Sequence, residues 1–218
     1  MKDFAVIFDM DGVVVESNPY HRKAWKGFFK NHGFQITEKD FKLHINGRTN
    51  SDILTHYFGR LSKEQIKRYI EEKEIFYRRF IEHSMKSPKG LYDFLAMLES
   101  KDIPLAIATS APPENVKFIL TKLKIKRYFD AIVDDTMVSA GKPDPEIYLK
   151  TAKMLNFPPK RCIVIEDSLS GIKSGLNAGM KVIGITTTHT KKELSIADMV
   201  IDDFSELTLK KLERVGGR

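Results

Sequence analysis

The stretch FAVIFDMDG, from Phe4 to Gly12, decides the fold of this chain of 218 residues. Its first five residues are all apolar, which is typical of a central strand in a parallel sheet, buried on both faces. Asp9 and Asp11 follow this strand, and side chains two residues apart in extended backbone point the same way. Because open α/β sheets bind ligands at the carboxyl ends of their strands, both carboxylates are predicted to serve one site. Two solvated aspartates before a turn glycine are the alternative.

Strands and helices alternate in the sequence from residue 87 onward. Apolar runs predict further strands at Leu105–Ala108, Ala131–Val133, Cys162–Ile165, Val182–Ile185 and Met199–Ile201. Helical patterns lie between most of these runs, and such alternation is typical of a parallel sheet with helices on both faces. We therefore predict an α/β protein with a Rossmann-like parallel sheet core, formed by residues 1–16 and 87–218.

Residues 17–86 interrupt this alternation with a pattern that is entirely helical. Polar residues are predicted to cap the helices at their N-termini: Asn18 before Pro19, Thr37, Asn50 or Ser51, and Ser62, which forms a capping box with Gln65. A loop is predicted at 46–48. Lys73 lies on the apolar stripe of the last helix, so it either extends to solvent or points into a pocket. We predict an inserted α-helical cap domain at residues 17–86.

The positive charge of the chain is concentrated in one segment. The net charge is +7, and residues 17–88 contain 15 Lys and Arg against 8 Asp and Glu, whereas the remainder has 21 of each. These basic residues alternate with acidic ones and form no long run, so we expect no nucleic-acid partner. A positive unit that attracts a small anion agrees with this distribution, and a solvated basic surface without a ligand is the alternative.

Cysteine content and hydropathy bound the cellular setting. The single cysteine, Cys162, excludes an intramolecular disulfide and favours a reducing compartment. Its place in an apolar run predicts an unreactive core thiol. No run approaches the roughly 18 apolar residues of a membrane span, and the first apolar run is too short for a signal peptide. We expect a cytoplasmic protein with no membrane partner, and a monomer by default.

Polar groups are predicted to meet at the carboxyl edge of the sheet, where the strand ends and one loop place Asp9, Asp11, Thr109, Ser110, Lys142, Glu166 and Asp167. Clustered carboxylates favour Mg²⁺, which takes oxygen ligands. A hydroxyl, a backbone N–H and a lysine can hold phosphoryl oxygens. One carboxylate can act as a covalent nucleophile and a second as acid and base. Each group alone also has an ordinary explanation as a turn, cap or surface charge, but the set together predicts phosphoryl transfer.

Four stretches resemble the four motifs of the haloacid dehalogenase (HAD) superfamily, in order and spacing: Asp9–Val13, Thr109-Ser110, Gly141–Pro145 and Glu166–Ser168. The resemblance covers essentially the whole chain. It implies that Asp9 is the nucleophile and a Mg²⁺ ligand, and that Asp11 is the general acid and base, with a carbonyl that also binds the metal. It further implies the remaining binding groups: Thr109, Ser110 and Lys142 for the phosphoryl group, and Asp167 with Glu166, directly or through water, for the metal.

The helical insertion resembles the cap of the β-phosphoglucomutase and phosphoglycolate phosphatase branch, which implies that the cap sets the substrate. His21 matches a histidine that orients the acid/base aspartate in β-phosphoglucomutases, and Lys73 falls where that family has a cap lysine. Other positions depart from the mutase pattern. The arginine for a second phosphate aligns with Asn50, although Arg48 is close, and Ala111–Pro113 replaces polar residues that contact the sugar.

Three functions follow as hypotheses. The first is a Mg²⁺-dependent phosphatase that hydrolyses a small phosphorylated metabolite, such as a sugar phosphate, through an aspartyl-phosphate intermediate. The second is a sugar phosphomutase of the β-phosphoglucomutase type. The third is a receiver-like module that accepts a phosphoryl group on an aspartate without turning over a small substrate.

Overall fold

A computed structural model describes residues 4–45 and 48–216 of the chain, apart from the side chain of Lys42. The chain divides into two compact units. The first, which we call the core unit, comprises Met1–Glu16 and Met85–Arg218. The second, which we call the helical unit, comprises Ser17–Ser84.

The core unit is built on a six-stranded sheet in which every neighbouring pair is parallel. Its strands are β1 (Ala5–Phe8), β2 (Leu105–Ala108), β3 (Ala131–Val133), β4 (Cys162–Glu166), β5 (Lys181–Ile185) and β6 (Met199–Ile201). They lie in the order β3-β2-β1-β4-β5-β6. The predicted α/β class with a Rossmann-like parallel sheet is confirmed.

Strand β1 is central and fully buried, which explains its continuous apolar sequence. Its residue Ile7 belongs to an apolar cluster that also contains side chains from the neighbouring strand β4 and from β5, the strand beyond it. The next residue, Phe8, points to the opposite face, where its ring meets those of Phe94, Phe129 and Phe204. Because both faces are covered, neither position tolerates a polar residue, and the first polar side chains appear where the strand ends.

The helical unit contains α1 (Asn18–Asn31), α2 (Glu38–Asp40), a π-helical segment (Phe41–Ile45), α3 (Asn50–Phe58) and α4 (Lys63–Ile81). Its described residues include no strand. Its own apolar core is largely aromatic and is formed by Trp25, Phe28, Phe29, Phe41, Ile45, Ile53 and Leu54. A loop is predicted at 46–48, and its positions 46 and 47 lie outside the described residues.

Two of the four predicted N-terminal helix caps of this unit are confirmed, and two are wrong. Thr37 and Ser62 each cap a helix through a capping box, as predicted. Asn18 is not a cap, because it is already helical and Ser17 precedes it at the N-cap position. The prediction of Asn50 or Ser51 was also wrong, since extended Thr49 accepts the N–H of Asp52 at 3.1 Å.

The helices of the core unit are α5 (Leu91–Ser100), α6 (Pro113–Lys122), α7 (Glu146–Met154), α8 (Leu169–Asn177) and α9 (Leu209–Val215). Helix α9 was not predicted. Helix α7 begins at Glu146, and Pro145 occupies its N-cap position. Asp144 instead closes a turn by accepting the N–H of Glu146 at 2.9 Å. Within the described residues, no helix combines the length and apolar character needed to cross a membrane.

Candidate active site

The strand order changes direction between β1 and β4, and this junction is where open α/β sheets bind ligands. Phe8 lies opposite Ile165 in the parallel register, and Asp9 donates its N–H to the carbonyl of Ile165 at 3.0 Å. The carboxylate of Asp9 therefore leaves the sheet beside Glu166, the last residue of β4. This register explains why Asp9 and Glu166 lie at the same edge of the sheet, as predicted.

The turn after β1 is held by its own backbone. Met10 accepts the N–H groups of three successive valines, 13–15, and Gly12 donates to the carbonyl of Val15 at 2.8 Å. Gly12 has φ of +77°, a conformation that favours glycine. This turn leaves Asp9 buried and Asp11 half-buried. The two predicted catalytic carboxylates thus occupy different environments, which separate roles as nucleophile and acid/base require.

Lys142 joins the two central strands through its ammonium group. Its Nζ donates to Asp9 Oδ1 at 2.6 Å and to Glu166 Oε1 at 2.7 Å, and it lies 3.3 Å from the carbonyl of Ala108 at the end of β2. The lysine side chain is only 7% exposed. One ammonium therefore links the ends of β1, β2 and β4, which the sequence predicted to converge.

The loop that carries Lys142 is anchored by helix α8. Ser174 donates its hydroxyl to the carbonyl of Asp144 at 2.6 Å, and Asn177 donates its amide to the carbonyl of Pro143 at 3.1 Å. These residues lie one turn apart on the helix that follows Glu166 in sequence. The same helix thus fixes both the lysine loop and the acidic end of β4.

Glu166 accepts five hydrogen bonds within the core unit. Its Oε1 accepts from Lys142 and from the hydroxyl of Tyr148 at 3.0 Å, and its Oε2 accepts from the N–H groups of Asp167 and Ser168 and from the Ser168 hydroxyl. A methyl group at Gly171 would overlap this carboxylate. Glu166 is therefore fixed by its surroundings, and Gly171 leaves room for it.

Asp167 completes a group of buried carboxylates. It is 4% exposed and accepts a hydrogen bond from the hydroxyl of Thr188. Ligand oxygens of Asp9, Glu166 and Asp167 all lie within 4.8 Å of one another. With the Lys142 ammonium, three ionised carboxylates leave a formal charge of −2 in a buried place. Buried charge of one sign requires compensation, and an oxygen-only donor set suits a hard divalent cation such as Mg²⁺.

The pKa values in this cluster are displaced by burial and by the neighbouring charges. Burial raises the pKa of Asp9 well above its usual range, the nearby Glu166 and Asp167 act in the same direction, and Lys142 opposes them. Burial alone would lower the pKa of Lys142, but the attraction of Asp9 and Glu166 outweighs it and raises the pKa well above its usual value. Burial likewise raises the pKa of Tyr148, which keeps its hydroxyl proton for donation.

Thr109 and Ser110 follow β2, as predicted. Thr109 is buried, donates its N–H to Val133 at 3.0 Å, and accepts the N–H of Ala111 on Oγ1 at 3.1 Å. Ser110 is exposed and lines a depression of about 180 Å³ together with Lys142. Ser110 and Lys142 therefore border the same depression, and the roles of Thr109, Ser110 and Lys142 in phosphate binding stay predictions.

The helical unit contains a second buried lysine. Lys73 is 3% exposed, and its Nζ lies 2.7 Å from Glu74 Oε1 and 3.0 Å from His21 Nδ1. The His21 ring stacks on Tyr77 with centroids 3.9 Å apart. Of the two alternatives for Lys73, extension to solvent is wrong, because the side chain is buried and its ammonium contacts Glu74, Trp25 and Tyr77.

The other two residues predicted to bind substrate, Arg48 and Asn50, do not share the contacts of Lys73. Arg48 is exposed and donates to the carbonyl of Leu43 at 3.2 Å. Asn50 is half-buried at the first position of α3. Their roles in substrate binding stay predictions.

Four residues that contact or make room for the predicted site residues were not predicted from the sequence: Tyr148, Thr188, Glu74 and Gly171. Tyr148 lies in an apolar helical pattern typical of core, Thr188 in a run of three threonines, and Glu74 beside a lysine on a highly charged helix. Gly171 gives the only direct signal, a glycine inside a predicted helix, which indicates a close approach by another group.

Comparison with known proteins agrees with these motifs. The family model for haloacid dehalogenase-like hydrolases matches residues 6–185. A phosphorylated carbohydrates phosphatase from Thermotoga maritima is 35% identical over 183 residues, which cover 82% of this chain and 83% of that protein. The β-phosphoglucomutase of Bacillus subtilis is 32% identical over 216 residues, covering 95% of this chain and 93% of that protein.

A solved structure extends the likeness to the whole fold. The crystal structure of a HAD hydrolase of family IA, variant 3, from Entamoeba histolytica matches with a TM-score of 0.92 and 35% identity, covering 99% of this chain and 100% of that one. The chain therefore belongs to the haloacid dehalogenase-like hydrolase family, in its branch of phosphatases and β-phosphoglucomutase-like phosphotransferases.

Proposed function

We propose that this chain is a Mg²⁺-dependent phosphatase that hydrolyses a small phosphomonoester, with a sugar or polyol phosphate as the substrate class. The observation that carries the proposal is the buried group of Asp9, Glu166 and Asp167 around the single ammonium of Lys142. Its formal charge of −2 matches one divalent cation. The relatives named as a carbohydrate phosphatase and a phosphoglucomutase support the substrate class.

Asp9 is the proposed nucleophile. One of its oxygens attacks phosphorus, the bond from phosphorus to the leaving-group oxygen breaks, and an aspartyl phosphate forms. Lys142 holds the carboxylate through Oδ1, and the N–H group that makes its long 3.3 Å contact with the Ala108 carbonyl is proposed to turn to a phosphoryl oxygen. Thr109 and the backbone of Ser110 are proposed to donate to the same oxygens. The reaction thus needs the Asp9 carboxylate ionised, although burial favours its protonated form.

Asp11 is the proposed acid and base. It gives a proton to the departing oxygen in the first step and takes one from the water that hydrolyses the aspartyl phosphate in the second. Its partial exposure agrees with exchange of a proton with solvent and substrate. The two half-reactions together restore both aspartates and release phosphate and an alcohol.

Asp9, Asp167 and the Asp11 carbonyl are the proposed metal ligands. A bound Mg²⁺ supplies positive charge that favours ionised carboxylates and offsets the charge of phosphoryl oxygens. Glu166 already accepts five hydrogen bonds, so we propose that it acts on the metal through water and mainly positions Lys142. The assignment of a Mg²⁺ site is supported mainly by the negative charge of the buried cluster as a whole.

The helical unit is proposed to be the cap that selects the leaving group. Two contacts within it favour hydrolysis over a mutase reaction, which must bind a second phosphate. Arg48 donates to the carbonyl of Leu43, and the Lys73 ammonium is paired with Glu74. The Lys73 ammonium is thus already paired with a carboxylate, and one N–H group of Arg48 is already engaged by the backbone. A β-phosphoglucomutase-type reaction is the second candidate, supported by the named relative from Bacillus subtilis.

The receiver-like alternative is set aside, because the chain belongs to a family of hydrolases. A cytoplasmic location and the absence of nucleic-acid partners stay predictions from the sequence, and a monomer stays the default expectation.

Phosphate release from an aryl phosphate and from a panel of sugar and polyol phosphates tests the proposal. We expect Mg²⁺-dependent release by the wild type and a loss of at least about thousandfold in Asp9→Asn, because an amide cannot form the acyl phosphate. Unchanged Mg²⁺-dependent turnover by Asp9→Asn would refute the assignment. Interconversion of sugar 1-phosphates and 6-phosphates with little phosphate release would instead support the mutase.

A further inference from the structure

Three successive threonines, at positions 186–188, follow strand β5 at the carboxyl edge of the sheet. The hydroxyl of Thr187 donates to the carbonyl of Gly12 at 2.5 Å. The next hydroxyl, that of Thr188, donates to the carboxylate of Asp167. Two neighbouring side chains of this loop therefore reach the proposed active site, one at the turn after β1 and the other at a proposed metal ligand.

The loop is attached at its own end of the sheet. Thr186 donates its N–H to the carbonyl of Ile201 at 3.0 Å and its hydroxyl to Asp202 Oδ1 at 2.9 Å. Further along the loop, Lys191 pairs with the same aspartate at 2.7 Å. These bonds tie the loop to the end of β6, so Thr187, the next residue after Thr186, extends from a backbone that is already held.

The contact with Gly12 fixes the turn that carries Asp11. Gly12 has φ of +77° and donates its N–H to the carbonyl of Val15 at 2.8 Å. That bond holds the peptide group between Asp11 and Gly12, and the Thr187 bond holds the next peptide group. Because glycine has more accessible backbone conformations than other residues, a turn at a glycine depends on such bonds to keep one geometry. The backbone position of Asp11 therefore depends on both.

We propose that Thr187 is a positioning residue for Asp11. The inference rests on the proposed function, in which Asp11 gives a proton to the departing oxygen. Thr187 bonds to the Gly12 carbonyl, so it acts through the turn and not on the substrate. Proton transfer requires the acid to lie within hydrogen-bond reach of the oxygen, and a small displacement of the turn slows that step.

Two aryl phosphates of similar size isolate the proton transfer. 4-Nitrophenolate is a good leaving group that departs without a proton, whereas phenolate is a poorer one and gains more from a general acid. The value of kcat/KM covers the steps up to formation of the aspartyl phosphate. The ratio of kcat/KM for phenyl phosphate to that for 4-nitrophenyl phosphate therefore reports how well the acid is placed.

Thr187→Val removes the hydroxyl and keeps the size of the side chain. We expect it to lower this ratio by about tenfold, because the phenyl ester loses more from a misplaced acid. Thr187→Ser keeps the hydroxyl and should restore the ratio to within about twofold of the wild type. Urea unfolding shows whether each variant is folded, and Thr187→Ala removes the same hydroxyl if valine prevents folding.

Thr186→Val is the matched control. It removes a hydroxyl from the same loop, but one that donates to Asp202 instead of to the turn. We expect the ratio to stay at the wild-type value in this variant. An equal fall in Thr186→Val and Thr187→Val, or a wild-type ratio in folded Thr187→Val, overturns the proposal.

Mg²⁺ separates an effect on the acid from an effect on the metal ligands. A wild-type ratio in Thr187→Val together with a smaller Mg²⁺-dependent rise of the unfolding midpoint would assign Thr187 to the metal site and overturn the proposal. If the wild type cleaves 4-nitrophenyl phosphate but not phenyl phosphate, no acid assists departure, and the inference fails while the phosphatase assignment stands. If the wild type cleaves neither ester, the proposed function fails with it.

Discussion

Each unit of this protein buries a lysine against one or more carboxylates, and the two clusters differ in charge. In the core unit, Lys142 contacts Asp9 and Glu166, and Asp167 adds a third carboxylate, for a formal charge of −2. In the helical unit, Lys73 forms an ion pair with Glu74, and the formal charges of these two side chains cancel. A buried lysine is thus surrounded by an excess of carboxylates in the core unit, whereas in the helical unit one carboxylate balances its charge.

The difference indicates what each cluster can bind. An acidic excess around one ammonium favours a cation and, with it, the oxygens of a phosphoryl group. An ion pair whose charges cancel needs no further ion to balance it. The core unit is therefore proposed to supply the chemistry, and the helical unit to supply selection.

Removing each lysine tests the comparison most severely. Lys142→Met leaves three buried carboxylates, so we expect turnover to fall by about 10³-fold and unfolding free energy by about 3–5 kcal/mol. Lys73→Met leaves one buried carboxylate and should be destabilised similarly, but should retain measurable turnover of an aryl phosphate. Urea unfolding and phosphate release measure both effects.

Mg²⁺ distinguishes the two variants further. Because a cation can replace the lost ammonium only in the core cluster, Mg²⁺ should raise the unfolding midpoint of Lys142→Met more than that of the wild type. Mg²⁺ should raise the unfolding midpoint of Lys73→Met by no more than it raises the midpoint of the wild type. An equal extra gain in both variants would show that the two clusters do not differ as described.

Gly171→Ala tests whether the position of Glu166 matters as much as its charge. The added methyl overlaps the Glu166 carboxylate, so we expect a loss of about 1–3 kcal/mol in stability and about 10²-fold in kcat. Gly141→Ala is the control, since its methyl would meet nothing within 4 Å. If both variants behave like the wild type, Glu166 is not confined as the structure indicates.

Tyr148→Phe should have the smallest effect. It removes one of the five donors to Glu166, so we expect a loss of about 1 kcal/mol in stability and less than tenfold in kcat. Tyr92→Phe removes a hydroxyl that donates to the carbonyl of Leu123 at 3.2 Å, away from these carboxylates, and should leave kcat unchanged. An equal change in kcat for both variants would contradict a specific role for Tyr148.

The sequence was sufficient for the parts of the fold that depend on periodicity. The apolar runs located all six strands, and parallel strands bring their carboxyl ends together, so Asp9 and Glu166 could be placed at one edge. Helix starts were less accurate. Ser17 and Thr49 precede the predicted caps by one residue, because the cap is set by where the backbone becomes helical, and several adjacent polar residues satisfy the same pattern.

The supporting contacts depended on rotations that the sequence does not specify. Tyr148 reaches Glu166 only because α7 turns that face toward β4, and an apolar pattern gives the same signal for any core tyrosine. Glu74 follows Lys73 directly, and consecutive helical residues normally point about 100° apart. Their pairing could therefore not be inferred from helical spacing, which favours contacts three or four residues apart.

Chemical trapping of the aspartyl phosphate tests the central claim most directly. Borohydride reduces an acyl phosphate to an alcohol, so wild-type protein treated during turnover of an aryl phosphate should contain homoserine in place of Asp9, as read by peptide mass spectrometry. The account predicts this modification at position 9 in the presence of Mg²⁺ and none at position 11. Modification at Asp11, or steady turnover with no modified aspartate, would contradict it.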